Sequence, residues 1–96
     1  MDEYLYWQHM RQLHTFALIL SDVQDQQGAC KRMGLPQCWG TYFVNEATLW
    51  GLIKVEHQPF KRTRFIVSPE RLTEFENELE STELEFMLND DCFCFL

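Results

Sequence analysis

Residues 29–55 read ACKRMGLPQCWGTYFVNEATLWGLIKV, and this stretch decides the fold. An apolar-Gly-Leu step at Gly34 is followed by the fifteen residues 36–50 and then by a Gly-Leu-Ile step at Gly51. Glycine accepts the left-handed backbone conformation that commonly ends a helix. The first of these steps therefore predicts a helix that ends at Gly34.

A hairpin is expected directly after this stretch. Residues 52–57 have the character of a strand, Gln-Pro-Phe-Lys at 58–61 is a turn sequence, and 62–68 form a returning strand. Within the second strand, Phe65 and Val67 alternate with outward positions, as a strand with one buried face requires.

The order of these lengths and turns, over about residues 22–72, resembles the winged helix-turn-helix superfamily. The resemblance implies an α+β, mainly α fold, in which an N-terminal helix precedes the helix-turn-helix, a two-stranded wing and a long C-terminal helix. It also implies that residues 37–50 form the second helix of the motif, which ends at the Gly-Leu-Ile step and enters the major groove of DNA. We expect a single domain over residues 1–96, because 96 residues do not suffice for two.

Helices are predicted on both sides of the motif. Within residues 1–20, apolar side chains recur at steps of four and three, the pattern of one helix face; they are Tyr6, Met10, Leu13, Ala17 and Leu20. A shorter helix fits residues 22–33, so that the helix-turn-helix spans 22–50 and the wing 52–68.

The last helix is predicted to begin after Ser68, a good N-cap, with Pro69 at its first position. An apolar stripe along 69–89 consists of Leu72, Phe75, Leu79, Thr82 and Phe86. The resemblance implies a homodimer, with an interface made by Leu72, Phe75, Leu79 and Phe86. Alternatively, the stripe packs on the first helix of the same chain. Asn89, Asp90 and Asp91 are expected to end the helix before an apolar tail at 90–96.

Charge is distributed unevenly along the chain, whose net charge is −7. Residues 1–53 carry three basic and five acidic side chains, and residues 54–71 carry five basic and two acidic ones. Residues 72–96 carry no basic and eight acidic side chains. The negative net charge disfavours non-specific nucleic-acid binding, but the electrostatic potential around residues 54–71 is positive and suits a phosphate group.

The second helix of the motif, 37–50, supplies candidate base-contacting residues. Mapped onto the superfamily pattern, the outward positions are Gln37, Trp39, Thr41, Tyr42 and Asn45, and the inward ones are Phe43, Val44 and Ala47. Asn and Gln form paired hydrogen bonds with adenine. The helix has no Lys or Arg, however, and its Trp and Tyr are typical anchors for a protein partner.

The predicted wing is basic. Its candidate nucleic-acid-binding residues are Lys54, His57, Lys61, Arg62 and Arg64, with Arg71 close behind. Such a wing can lie along a phosphate backbone or in a minor groove. Alternatively, the basic hairpin pairs with the acidic last helix.

Composition excludes several classes of protein. The four cysteines form no CxxC pair and no His has zinc-site spacing, so we expect free thiols and no metal or cofactor. No nucleophile–base motif is present, which predicts a protein that is not an enzyme. No apolar run approaches 18 residues, so we expect a soluble cytoplasmic protein without membrane contact.

Two functions from different classes remain at this level. The first is a small DNA-binding transcriptional or replication regulator, with a recognition helix at 37–50 and a basic wing at 54–64, whose partner is double-stranded DNA. The second is an acidic protein–protein interaction module on the same fold, an adaptor or an inhibitor that binds a partner's basic surface through the aromatic helix face. Fold analogy favours the first, whereas the net charge and the aromatic residues favour the second.

Overall fold

A computed structural model describes the backbone of residues 3–89 and the side chains of residues 4–85. The described part is mainly helical, with a small antiparallel sheet. The elements in chain order are α1 (Glu3–Val23), α2 (Gln26–Met33), α3 (Trp39–Leu49), β1 (Ile53–Glu56), β2 (Arg64–Val67) and α4 (Pro69–Asn89). The predicted α+β, mainly α class is confirmed at this level.

The boundary between α1 and α2 differs from the prediction. Asp22 and Val23 belong to α1, and α2 begins only after Asp25, whose carboxylate accepts a hydrogen bond from the Gly28 N–H at 3.0 Å. Gln24 separates the helices with a φ of 60°. The break was predicted between residues 20 and 22, but Val23 continues the apolar spacing of α1 one step beyond Leu20. The N-cap at Asp25 is the local feature that marks the true boundary.

Two glycines end α2 and α3 as their sequence positions predict. Gly34 has a φ of 70°, and Gly51 has a φ of 75°. After Gly34, the N–H of Leu35 donates to the Cys30 carbonyl at 2.9 Å, and after Gly51, the N–H of Leu52 donates to the Ala47 carbonyl at 2.9 Å. These backward hydrogen bonds satisfy the last carbonyls of each helix and redirect the chain, first into the turn and then into β1.

Helix α1 lies at the centre of the molecule and packs against α2, α3, α4 and β2. Its fully buried face comprises Leu13, Phe16, Ala17 and Leu20. Tyr6 was predicted on this face but is exposed, and the next residue, Trp7, packs partly against the core instead. The Trp7 indole N–H donates to the Leu79 carbonyl at 2.9 Å, which ties the start of α1 to α4.

The apolar stripe of α4 packs inside the chain. Leu72, Phe75 and Leu79 are all buried in the core, and the ring of Phe75 stacks on His14 of α1, with centroids 6.1 Å apart. These three residues therefore pack on the same chain, as the second alternative describes, and the homodimer stays a prediction. The side chain of Phe86 and the predicted tail at 90–96 lie outside the described residues.

The two strands form a hairpin whose register pairs Ile53 with Val67 and Val55 with Phe65. These residues face the core, and Phe65 and Ile53 are buried. The strands are shorter than predicted, so that residues 57–63 form the loop between them. The N–H of Ser68 donates to the Leu52 carbonyl at 2.9 Å, which closes the hairpin at its base just before α4 begins.

Candidate nucleic-acid interface

Helix α3 lies directly against α2 because position 40 has no side chain. Gly40 is buried, and a Cβ atom at this position would lie 3.3 Å from the Cys30 sulfur and 3.5 Å from the Gln26 carbonyl oxygen. Phe43, Val44 and Ala47 are buried, which confirms their predicted inward orientation. The opposite side of α3 is consequently held at the surface.

The five predicted outward residues are all exposed, but they do not form one surface. Thr41 and Asn45 lie one helical turn apart on the flank of α3 that faces the wing. Trp39 and Tyr42 contact each other at a centroid distance of 5.9 Å and belong to an aromatic cluster on the other flank. Gln37 precedes α3 in the turn, where its carbonyl accepts the Gly40 N–H at 3.1 Å.

An open groove of about 830 Å³ separates the polar flank of α3 from the wing. We call it the helix–wing groove; its lining includes Thr41, Asn45 and Thr48 from α3, and His57, Arg62 and Thr63 from the wing loop. The structure thus brings two of the predicted recognition-helix residues and two of the predicted wing residues to one site. Thr48 and Thr63 join them, although the sequence analysis did not single them out.

The wing is fixed to the helical part of the chain through Gln24. The Gln24 side-chain amide donates to the Phe65 carbonyl at 2.7 Å, and its oxygen accepts the Phe65 N–H at 2.8 Å. Gln24 also lines the helix–wing groove. Gln24 therefore links the junction between α1 and α2 directly to β2, in addition to the burial of Phe65 in the core, and no local sequence pattern identified this residue.

The basic residues of the wing, Lys54, His57, Lys61, Arg62 and Arg64, are all exposed. None of them belongs to an ion pair within residues 4–85, although Glu56 lies opposite Arg64 in the strand register. Two acidic side chains of α4 do form ion pairs, but with residues outside the wing. Glu74 pairs with Arg71 at 2.6 Å, and Glu83 pairs with Arg11 at 3.6 Å. In the described chain the wing is not neutralised by the acidic helix.

Arg71 has a structural role instead. Its guanidinium donates to the Trp50 carbonyl at 3.0 Å and pairs with Glu74 on α4. Trp50 packs against the core and contacts Phe75 edge-on, with centroids 6.0 Å apart. Arg71 thus anchors the end of α3 to α4 and does not extend the basic surface of the wing.

The aromatic cluster covers the junction between α3 and α1. The Tyr42 hydroxyl and the His9 Nε2 atom are 3.0 Å apart, and the His9 ring stacks on Phe43. Trp39 and Tyr42 remain 43% and 42% exposed, so their outer surfaces are open to a partner. This flank and the helix–wing groove are two separate surfaces of one helix.

The described residues contain neither a metal-ligand cluster nor a membrane-spanning helix. No group of three or more His, Cys, Asp or Glu side chains within them is arranged to hold a metal ion. Neither of the long helices in this part of the chain has the apolar length needed to cross a bilayer. No protein-family model matches the chain, and no curated protein sequence matches it.

Proposed function

We propose that the protein binds duplex DNA as a small winged-helix regulator, with α3 in a major groove and the wing on the flanking backbone. The observation that carries this proposal is the helix–wing groove, in which Thr41 and Asn45 face His57 and Arg62 across one open site. Hydroxyl, amide and guanidinium groups are the donors that protein–DNA interfaces use for phosphates and base edges.

Electrostatics support the same proposal. A basic residue that is already paired with a carboxylate has less to gain from a phosphate, and the wing residues have no such partner in the described chain. Phosphate binding releases counterions, so each contact contributes affinity that falls as salt rises. The wing would supply affinity in this way, and the polar flank of α3 would supply base contacts.

The decisive experiment measures the affinity for a fluorescein-labelled random-sequence duplex by anisotropy, over a series of salt concentrations. We expect binding at about 50 mM salt that weakens steeply by about 200 mM. Replacing Arg62 and Arg64 by Gln should reduce the slope of log K against log salt by about 0.9 for each lost phosphate contact. Absence of binding at the lowest salt would refute the proposal.

Arg11→Gln provides a matched control for this experiment. It removes one positive charge from α1, where Arg11 pairs with Glu83 and lies 5.3 Å from the Trp7 ring centroid. If a general change of net charge caused the effect, this variant would alter the salt slope as much as a wing variant does. The proposal requires that Arg11→Gln keep the slope of the parent protein.

A second candidate function is supported by the aromatic flank of α3. The exposed rings of Trp39 and Tyr42 lie two turns and one turn before Glu46, whose carboxylate forms no ion pair within residues 4–85. Two ring faces and a carboxylate suit a cationic side chain from another protein. On this alternative the chain is an acidic adaptor or inhibitor, and the aromatic pair provides its anchors.

A further inference from the structure

The tip of the wing carries the most exposed large apolar side chain in the described part of the chain. Phe60 has a relative exposure of 106%, whereas Leu49, the next in order, has 79%. A fully exposed phenylalanine gains nothing from packing within the chain. Its ring is therefore open to contact with a partner.

The backbone at Phe60 is also unusual. Residues 58–61 form a turn closed by a hydrogen bond of 3.2 Å from the Lys61 N–H to the Gln58 carbonyl, and Phe60, third in this turn, has a φ of 63°. With proline in second place, a positive φ in third place is the type II arrangement, in which Gly or Asn is normally found. A bulky residue is strained in this conformation.

The residues beside the ring favour a particular kind of partner. Lys61 and Arg62 follow it directly, are exposed, and form no ion pair among residues 4–85. A projecting ring flanked by cations matches a polyanion that also offers flat apolar surfaces, and a nucleic acid presents both, as phosphates and base faces. Proteins that bend DNA insert apolar side chains between base steps in this way.

We propose that Phe60 is a wedge that stacks into a base-pair step of the duplex held by the wing. This inference rests on the proposed DNA binding and adds a specific mechanism to it. Lys61 and Arg62 contact the phosphates beside the step, and the turn holds the ring away from the body of the protein. Pyrimidine–purine steps unstack most easily, so TpA steps are the preferred sites.

The test compares two duplexes of equal base composition. One has TpA steps that contain the fluorescent base 2-aminopurine, and the other has an uninterrupted A-tract. Each duplex carries a dye at both ends, so that energy transfer between the dyes reports bending. The parent protein should raise the 2-aminopurine fluorescence of the TpA duplex and bend it by about 20 to 90°. Phe60→Gly should abolish both signals and weaken binding to this duplex roughly tenfold, since base–aromatic stacking is lost.

Phe60→Gly is a suitable variant because glycine adopts the observed φ without strain, so the hairpin stays folded. Phe60→Trp should retain the unstacking signal. Leu84→Ala, which trims a 58% exposed apolar side chain on α4, serves as the matched control and should behave as the parent does.

The outcomes separate the wedge from the proposed function. If the parent and Phe60→Gly bind the TpA duplex equally and neither unstacks it, the wedge is refuted while DNA binding stands. If the parent binds no duplex, both proposals fail. If Phe60→Gly loses affinity only for a single-stranded oligonucleotide of the same sequence, the ring stacks on unpaired bases and the duplex wedge is refuted.

Discussion

The side-chain amide of Gln24 pairs with both backbone groups of Phe65, donating to its carbonyl at 2.7 Å and accepting from its N–H at 2.8 Å. The two residues are 41 positions apart in the chain. Gln24 thereby takes the place of a third strand beside β2, and its amide nitrogen also donates to the Ser21 carbonyl at 2.9 Å. The junction between α1 and α2 is thus connected directly to the wing, which faces α3 across the helix–wing groove.

The first prediction follows from this pairing. Gln24→Ala removes both hydrogen bonds to Phe65 and leaves a partly buried N–H and carbonyl without that partner, so we expect a loss of about 1 to 3 kcal/mol in the free energy of unfolding. Urea denaturation measures this loss. Hydrogen exchange should show the Phe65 amide losing protection before the core of α1 does.

Gln27→Ala is the matched control, because Gln27 is an exposed glutamine on α2 that takes no part in the pairing with Phe65. It should change the unfolding free energy by no more than about 0.5 kcal/mol. Equal effects of the two variants would mean that the amide pairing does not hold the wing.

The second prediction concerns the apolar stripe of α4. Leu79 is only 8% exposed and packs in the core, so Leu79→Glu places a carboxylate among apolar side chains and should cost more than about 3 kcal/mol of stability. Leu84→Glu, on the same helix but 58% exposed, should leave the protein folded. Circular dichroism during urea denaturation distinguishes the two.

Light scattering adds an independent result for the same pair of variants. If Leu79→Glu remained folded and only converted a dimer into a monomer, Leu79 would belong to an interface between copies, and its place in the core of one chain would be wrong. Unfolding of this variant, with Leu84→Glu intact, is the result that the buried position requires.

The sequence determined the local features of this fold well. Gly34 and Gly51 end helices, and Phe43, Val44 and Ala47 face inward, because turn residues and helical periodicity depend on near neighbours. The same reasoning could not decide what the stripe of α4 contacts. An amphipathic helix has the same pattern whether its apolar face meets its own chain or a second copy.

Long-range contacts account for what the sequence analysis missed at the site. Asn45 and Tyr42 were both predicted outward and both are exposed, yet they face different surroundings. Tyr42 lies beside His9, which is 33 positions away, whereas Asn45 lines the helix–wing groove. Helical periodicity gives the angle of a residue around α3 but not the element that packs beside each flank.

The third prediction concerns the two cysteines in the described part of the chain. Burial raises the pKa of the Cys30 thiol, and the nearby Cys38 thiol adds to this shift, whereas Cys38 is exposed at the start of α3. Because only the thiolate is alkylated, iodoacetamide at pH 8 should modify Cys38 first and Cys30 only as fast as the chain unfolds. Peptide mass spectrometry measures each site separately.

Urea provides the check on this third prediction. In denaturing urea the two thiols should react at similar rates, because the burial that distinguishes them is lost. If Cys30 reacts as rapidly as Cys38 in the native protein, Cys30 is not buried between α2 and α3, and the close packing at Gly40 is wrong.

The last prediction separates the two candidate functions, because they use opposite flanks of α3. If the protein binds DNA through the helix–wing groove, Asn45→Ala removes a base contact and should lower the discrimination between preferred and other duplexes by about 1 to 3 kcal/mol. Trp39→Ala and Tyr42→Ala should then have small effects, since both rings lie on the flank away from the groove. If the aromatic flank binds a protein, each aromatic variant should cost about 2 kcal/mol or more of partner affinity, and Asn45→Ala should be neutral.

Two assays measure these effects. Fluorescence anisotropy gives the affinity for duplexes selected from a random-sequence pool, and calorimetry gives the affinity for a partner protein that the immobilised parent protein has captured. Each variant is first compared with the parent by circular dichroism, because Tyr42 also contacts His9. Parent-like behaviour of all three variants in both assays would show that α3 is not the functional surface.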